Sequence, residues 1–117
     1  MAHEAVAALV AMVENRQFLE AIERFYAEHA TMQENNAPPR VGLPALLEGE
    51  RYALANRLKD IHECRAASYV VDGDRAAINW VFEYTDYEGT RHRLDEIAYQ
   101  RWENGKIVQE RFFYGQS

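Results

Sequence analysis

A chain of 117 residues, 48% apolar and 27% charged with 6 Gly and 3 Pro, has the make-up of one soluble globular domain around a single hydrophobic core. Its formal net charge of −6 argues against a general phosphate-binding surface, and so against nucleic acid as a partner. The first residues lack the basic start and small-residue cleavage site of a signal peptide, no apolar run is long enough to span a bilayer, and the lone Cys64 cannot form an internal disulfide; a cytoplasmic protein without membrane contact is expected.

No repeat, low-complexity tract or linker divides residues 1–117, which read as one domain. Val6, Leu9, Val10 and Val13 fall at helical spacing and predict an amphipathic helix over residues 3–15. Phe18, Leu19, Ile22, Phe25 and Tyr26 predict a second, ending near Ala27. The stretch "ATMQENN" then reads as a short strand over residues 30–35, and "APPR" as an extended or turning chain. Pro44 suits the first turn of a third helix that carries Leu46, Leu47, Leu54 and Leu58. Gly49 is its weak point, at a cost of about 1 kcal/mol relative to alanine.

After Lys59 the hydrophobic period changes to two. "IHECRAASYVV" and "RAAINWVFEYT" flank Asp72-Gly73-Asp74, and "TRHRLDEIAYQRW" and "KIVQERFFY" meet around Asn104-Gly105, both good hairpin signals. On the second of these strands Ile78, Trp80, Phe82 and Tyr84 share one face, with Asn79, Val81 and Glu83 on the other. Three helices ahead of a curved antiparallel sheet make an α+β plan, and a helix crossing a bent sheet leaves an apolar hollow suited to a small molecule.

With "FYAEHATMQE" after two helices and "RWENGKIVQERFFY" at the end, the chain resembles the nuclear transport factor 2-like superfamily, and within it the SnoaL-like polyketide cyclases and the ketosteroid isomerase group. The resemblance implies a cone-shaped fold with a deep pocket, dimeric through the outer face of the sheet. Ketosteroid isomerases use a carboxylate base, with a Tyr and a protonated Asp donating to the developing oxyanion. Set beside them, the base position falls on Glu34, the Tyr position on Val10 and the Asp position near Ala98. The base is present and both donors are absent, so steroid isomerisation is not expected.

Alternation places Leu94, Glu96, Gln100 and Trp102 on the same face as Ala98. The partner strand depends on the turn. A two-residue Asn104-Gly105 loop would turn Ile107, Gln109, Arg111 and Phe113 inward; a three-residue loop with a bulge would turn Val108, Glu110, Phe112 and Tyr114 inward, with Ala98 facing Glu110 and Glu96 facing Phe112. The family resemblance favours the second. It brings Glu34, Glu96 and Glu110 together as candidate catalytic groups, walled by Trp80, Phe82, Tyr84, Trp102, Phe112 and Tyr114. Carboxylates crowded in a dry pocket cannot all ionise, and a protonated acid beside an ionised one is an acid–base pair. The opposing possibility sets Glu96 or Glu110 outside, paired with Arg93, Arg101 or Arg111.

The histidines show no metal-ligand spacing, so neither a metal nor a cofactor is expected. His62, entering a long strand beside Glu63, is the best candidate for a proton carrier in the pocket, the alternative being a surface or satisfied core histidine. Tyr26 either presents its hydroxyl there or packs in the core; Asn35 and Asn36 serve either as turn residues or as ligand contacts, and Arg40 as cap or entrance guard. On the outer face Asn79, Val81, Ile97 and Tyr99 suit a homodimer interface. Two functions remain: a small cofactor-free enzyme acting by carboxylate acid–base chemistry on an apolar carbonyl compound, or a non-catalytic module that binds a small ligand or dimerises.

Overall fold

The computed structural model describes residues 2–115. The helices are α1 (Ala2–Glu14), α2 (Phe18–Phe25) and α3 (Leu43–Asn56); the strands are β1 (Tyr26–Glu34), β2 (Arg40–Val41), β3 (Asp60–Asp72), β4 (Arg75–Thr85), β5 (Arg91–Glu103) and β6 (Lys106–Phe113). All six strands form one curved, unclosed sheet in the order β2-β1-β6-β5-β4-β3. From β3 to β6 it is an antiparallel meander closed by tight turns. The helices cover one face: α1 packs on β3, α3 on β1, and α2 between α1 and α3.

The expected α+β plan holds, with local differences that matter for the site. Tyr26 does not close α2. It opens β1, because its backbone pairs with Ile107 and its side chain is drawn into the core. β1 therefore has 9 residues rather than six, and it runs parallel to β6, so the sheet is not wholly antiparallel. The edge of β6 is what the meander leaves open, and the long excursion through β2, α3 and the three strands β3 to β5 permits a parallel pairing. The "APPR" stretch ends in the short strand β2, whose Arg40 and Val41 pair with Met32 and Thr31.

The core joins Val6, Leu9 and Val10 of α1 and Ala21, Ile22 and Phe25 of α2 to Leu46 of α3 and to Ile78, Trp80, Ala98, Trp102 and Ile107 of the sheet. Burial at roughly 25 cal/mol per Å² of apolar surface is what holds α1 and α2 against the strands, α2 having no side-chain cap bonded at its start. Among the described residues no helix is long and apolar enough to cross a membrane.

Of the four register shifts in the sheet, two bear on the candidate site residues Glu110 and His62. The hairpin between β5 and β6 is a two-residue loop, with Asn104 at φ 51° and Gly105 at φ 77°, and Trp102 pairs with Ile107. One step on, Arg101 pairs with Gln109, so Val108 is an extra residue and the alternation slips. Ile107 and Glu110 are both inward as a result. Neither turn expected from the sequence describes this: the loop is the shorter one, and the bulge restores the face of the longer one. Glu110 stands opposite Gln100, and Ala98 opposite Phe112, which corrects the expected Ala98–Glu110 and Glu96–Phe112 pairings. On β3, Ile61 pairs with Tyr84 and Glu63 with Glu83, leaving His62 as the extra residue.

Candidate functional site

Between the helices and the concave face lies a cavity of about 200 Å³. Leu9, Val13, Phe18 and Ile22 close its helical side, and Trp80, Phe82 and Tyr84 of β4 form its floor with Phe112 of β6. Into this apolar space β1 brings Tyr26 and Glu34, β5 brings Glu96 and Gln100, β6 brings Glu110, β2 brings Arg40 and α3 brings Glu50. The three candidate carboxylates thus share one cavity.

Their surroundings differ. Glu110 is almost fully buried, and both of its oxygens accept hydrogen bonds: Oε1 from the Tyr26 hydroxyl, Oε2 from Gln100 Nε2 at 2.7 Å. Gln100 is oriented in turn by Trp102 Nε1, which donates to its Oε1 at 3.0 Å. Burial pushes the Glu110 carboxyl from its ordinary 4.5 up to about 7, against the pull of the Tyr26 and Gln100 hydrogen bonds. Burial, with the Glu110 charge beside it, holds the Tyr26 phenol well above 10, so it stays a donor.

Glu96 is half-buried, and its carboxylate has no side-chain partner among the described residues. Burial, reinforced by the charges of Glu110, Glu34 and Glu50, raises it from 4.5 to about 7. Glu34, at the end of β1, is held from two sides: the Tyr114 hydroxyl donates to Oε1 at 2.8 Å and Arg40 Nη2 to Oε2 at 3.2 Å. Tyr114 is lifted to about 12, first by loss of solvent and then by this bond.

Of the expected lining, Tyr26, Trp80, Phe82, Tyr84 and Phe112 reach the cavity. Ala98 and Trp102 lie in the packed core beneath it, and Tyr114 braces Glu34 without itself forming wall. His62 is not in the pocket. As the extra residue of the β3 bulge it points away, exposed and bonded through Nε2 to Thr85 Oγ1 at 2.7 Å. Asn35 and Asn36 serve structure. Asn35, at φ 50°, takes the Tyr114 amide on its Oδ1 and the Arg111 guanidinium on its carbonyl, while Asn36 Oδ1 takes a second Arg111 bond.

Among the charged cavity residues, Glu50 and Arg57 went unforeseen. Glu50 follows Leu46 by four and precedes Ala53 by three, so it shares their buried face of α3. Burial raises its carboxyl, with Glu34 adding and Arg40 and Arg57 opposing. Among the described residues no group of three or more His, Cys, Asp or Glu is placed to hold a metal ion.

A family model described as the SnoaL-like domain matches residues 6–110. The chain belongs to the SnoaL-like family. Solved structures agree on the fold of this SnoaL-like domain. A Mesorhizobium loti protein called a SnoaL-like polyketide cyclase superimposes with a TM-score of 0.88 at 24% identity, covering 97% of this chain and 99% of that one. A Burkholderia pseudomallei protein of unknown function, called NTF2-like, gives 0.84 at 13% identity over 97% and 90%. A Catenulispora acidiphila protein with a ketosteroid isomerase-like fold, solved with trimethylamine, gives 0.80 at 16% over 97% and 87%. At these identities the likeness is one of fold. No protein of curated function matches the chain.

Proposed function

We propose that this SnoaL-like domain is a small cofactor-free enzyme that moves protons on an apolar, carbonyl-type small molecule. The observation that carries the reading is Glu96: a carboxyl with no protein partner, opening on an aromatic-walled cavity and poised near neutrality. A group that is part acid and part base at working pH is the one general acid–base catalysis favours. In this scheme Glu34, steadied by Tyr114 and Arg40, takes a proton from the carbon next to the carbonyl, and neutral Glu96 gives one to the carbonyl oxygen. The product is the enol, and reversal at a second carbon isomerises the substrate. Glu110, almost fully buried, acts from behind by raising Glu96. The polyketide cyclase name of the Mesorhizobium relative supports a carbonyl-type substrate, and the trimethylamine complex of the Catenulispora protein supports a small ligand.

The test is exchange of the α-protons of 2-tetralone in D2O, followed by NMR. The protein accelerates exchange, and Glu34→Gln and Glu96→Gln each reduce the acceleration by about 10²-fold or more. Binding without any acceleration refutes the enzyme reading and leaves the non-catalytic ligand-binding one, which the absence of donors at Val10 and Ala98 favours. We also propose that the domain pairs with a second copy through the outer sheet face, where Ile97, Tyr99 and Phe113 stay about 40% exposed (40%, 43% and 41%). A monomer by light scattering at micromolar concentration rejects that pairing.

A further inference from the structure

Gly49 sits inside α3, where glycine is a poor choice, and Arg40 explains it. A Cβ built on Gly49 would lie 2.8 Å from Arg40 Nε and 3.0 Å from its Cδ and Cζ. The guanidinium therefore crosses α3 at the one residue without a side chain. It then reaches the cavity, where Nη2 donates to Glu34 at 3.2 Å and Nη1 touches Met32 Sδ at 3.8 Å. Its other N–H groups have no protein acceptor among the described residues. Of the other donors around the cavity, the Tyr26 hydroxyl is spent on Glu110, the Tyr114 hydroxyl on Glu34 and the Gln100 amide on Glu110, while Arg57 and Tyr84, which also line it, make no bond to the candidate base Glu34.

We infer that Arg40 is a second donor to the ligand's carbonyl oxygen, holding it by a hydrogen bond while Glu96 supplies the proton, and that Gly49 is the positioning residue that admits it. This deepens the carbonyl-substrate reading and rests on it. A guanidinium beside the base puts fixed positive charge near the oxygen on which negative charge develops. It also fixes where the substrate lies: carbonyl toward β2 and α3, apolar body over Trp80 and Phe82. The Arg side chain is flexible, so a methyl group at position 49 moves it aside and leaves the helix intact.

The experiment compares 2-tetralone, whose oxygen only accepts, with tetralin, which lacks it. Kd values come from ligand-observed NMR, and the Arg40 Nε–Hε resonance reports the guanidinium. Arg40→Ala and Gly49→Ala should each weaken 2-tetralone about tenfold and leave tetralin within about twofold. In Gly49→Ala the Arg40 resonance should shift while Tm stays level or rises by about 4 °C, as helix propensity dictates. Unchanged 2-tetralone affinity in Arg40→Ala overturns the assignment of the donor, and if exchange persists in the wild-type protein the acid–base reading survives. An unmoved Arg40 resonance with full affinity in Gly49→Ala overturns the positioning role. Failure of both compounds to bind the wild-type protein overturns this inference and the carbonyl reading together.

Discussion

Replacing Glu110 by glutamine should change the pH dependence of stability more than stability itself. The folded carboxyl titrates at about 7 against an ordinary 4.5, so between these values the native state holds a proton that the unfolded chain has released. With more protons bound in the native state, unfolding free energy falls as pH rises, by at most 1.36 kcal/mol per pH unit for one group. Over the window from 4.5 to about 7 the loss sums to about 3 kcal/mol, complete above 7 and absent below 4.5. Glutamine has nearly the shape of the protonated acid and carries no charge at any pH. It satisfies Gln100 through its oxygen, while its amide must face the Tyr26 hydroxyl and reverse that bond, at a cost of about 1 kcal/mol. The two proteins should therefore be of similar stability near pH 4.5, the variant slightly the weaker. At pH 8 the variant should be the stronger by about 2 kcal/mol. Urea unfolding at half-unit steps from pH 4.5 to 8, with the slope against denaturant checked for constancy, measures both curves. Parallel curves would refute the argument, because they would mean that Glu110 takes up no extra proton on folding.

Other outcomes follow from the same geometry. Trp102→Phe removes the donor that orients Gln100 inside the core and should cost about 1–3 kcal/mol by denaturant unfolding, with an upward shift of the Glu110 titration in carboxyl NMR as Gln100 loses its fixed orientation. In the same spectra Glu96 of the wild-type protein should titrate near 7, and Glu110→Gln should bring it down, since the Glu110 charge is the second cause of its elevation after burial. Gly105→Ala puts a side chain at φ 77° in the hairpin loop and should destabilise by about 1 kcal/mol in thermal unfolding without altering 2-tetralone binding.

The sequence discloses most where order is local. The helices, the hairpins at Gly73 and Gly105 and the alternation of β4 follow from residues close in the chain, and the inward place of Glu96 follows from that of Ala98 by simple alternation. What it hides is phase and long-range pairing. His62 is a candidate for the pocket by its place at the entry of a long strand, and the extra residue on β3 that leaves it out has no signal in the sequence. Tyr26 reads as the last residue of an apolar helical stripe, since its partners Ile107 and Glu110 lie more than eighty positions on. Glu50 lies four residues after Leu46 and four before Leu54, within the apolar stripe of its helix, but a lone carboxylate on a helix reads as surface until the cavity that receives it is formed. The parallel β1–β6 contact has no local signal, because neither strand alone records which edge of the sheet is vacant.

The extra residue at Val108 acts as a polarity selector for the whole site. If β6 ran regularly from Ile107, the side chains meeting the cavity would be Gln109, Arg111 and Phe113, and the wall that now offers a buried acid would offer a base cation. No side chain would have been exchanged; only the reading frame of the strand against its neighbour would differ. A one-residue insertion or deletion in this hairpin is thus a larger chemical change than most substitutions on the cavity wall. It gives a fold of this kind a short evolutionary step between pockets of opposite charge. Two domains with matching residues along this strand share a site only if they also share the bulge.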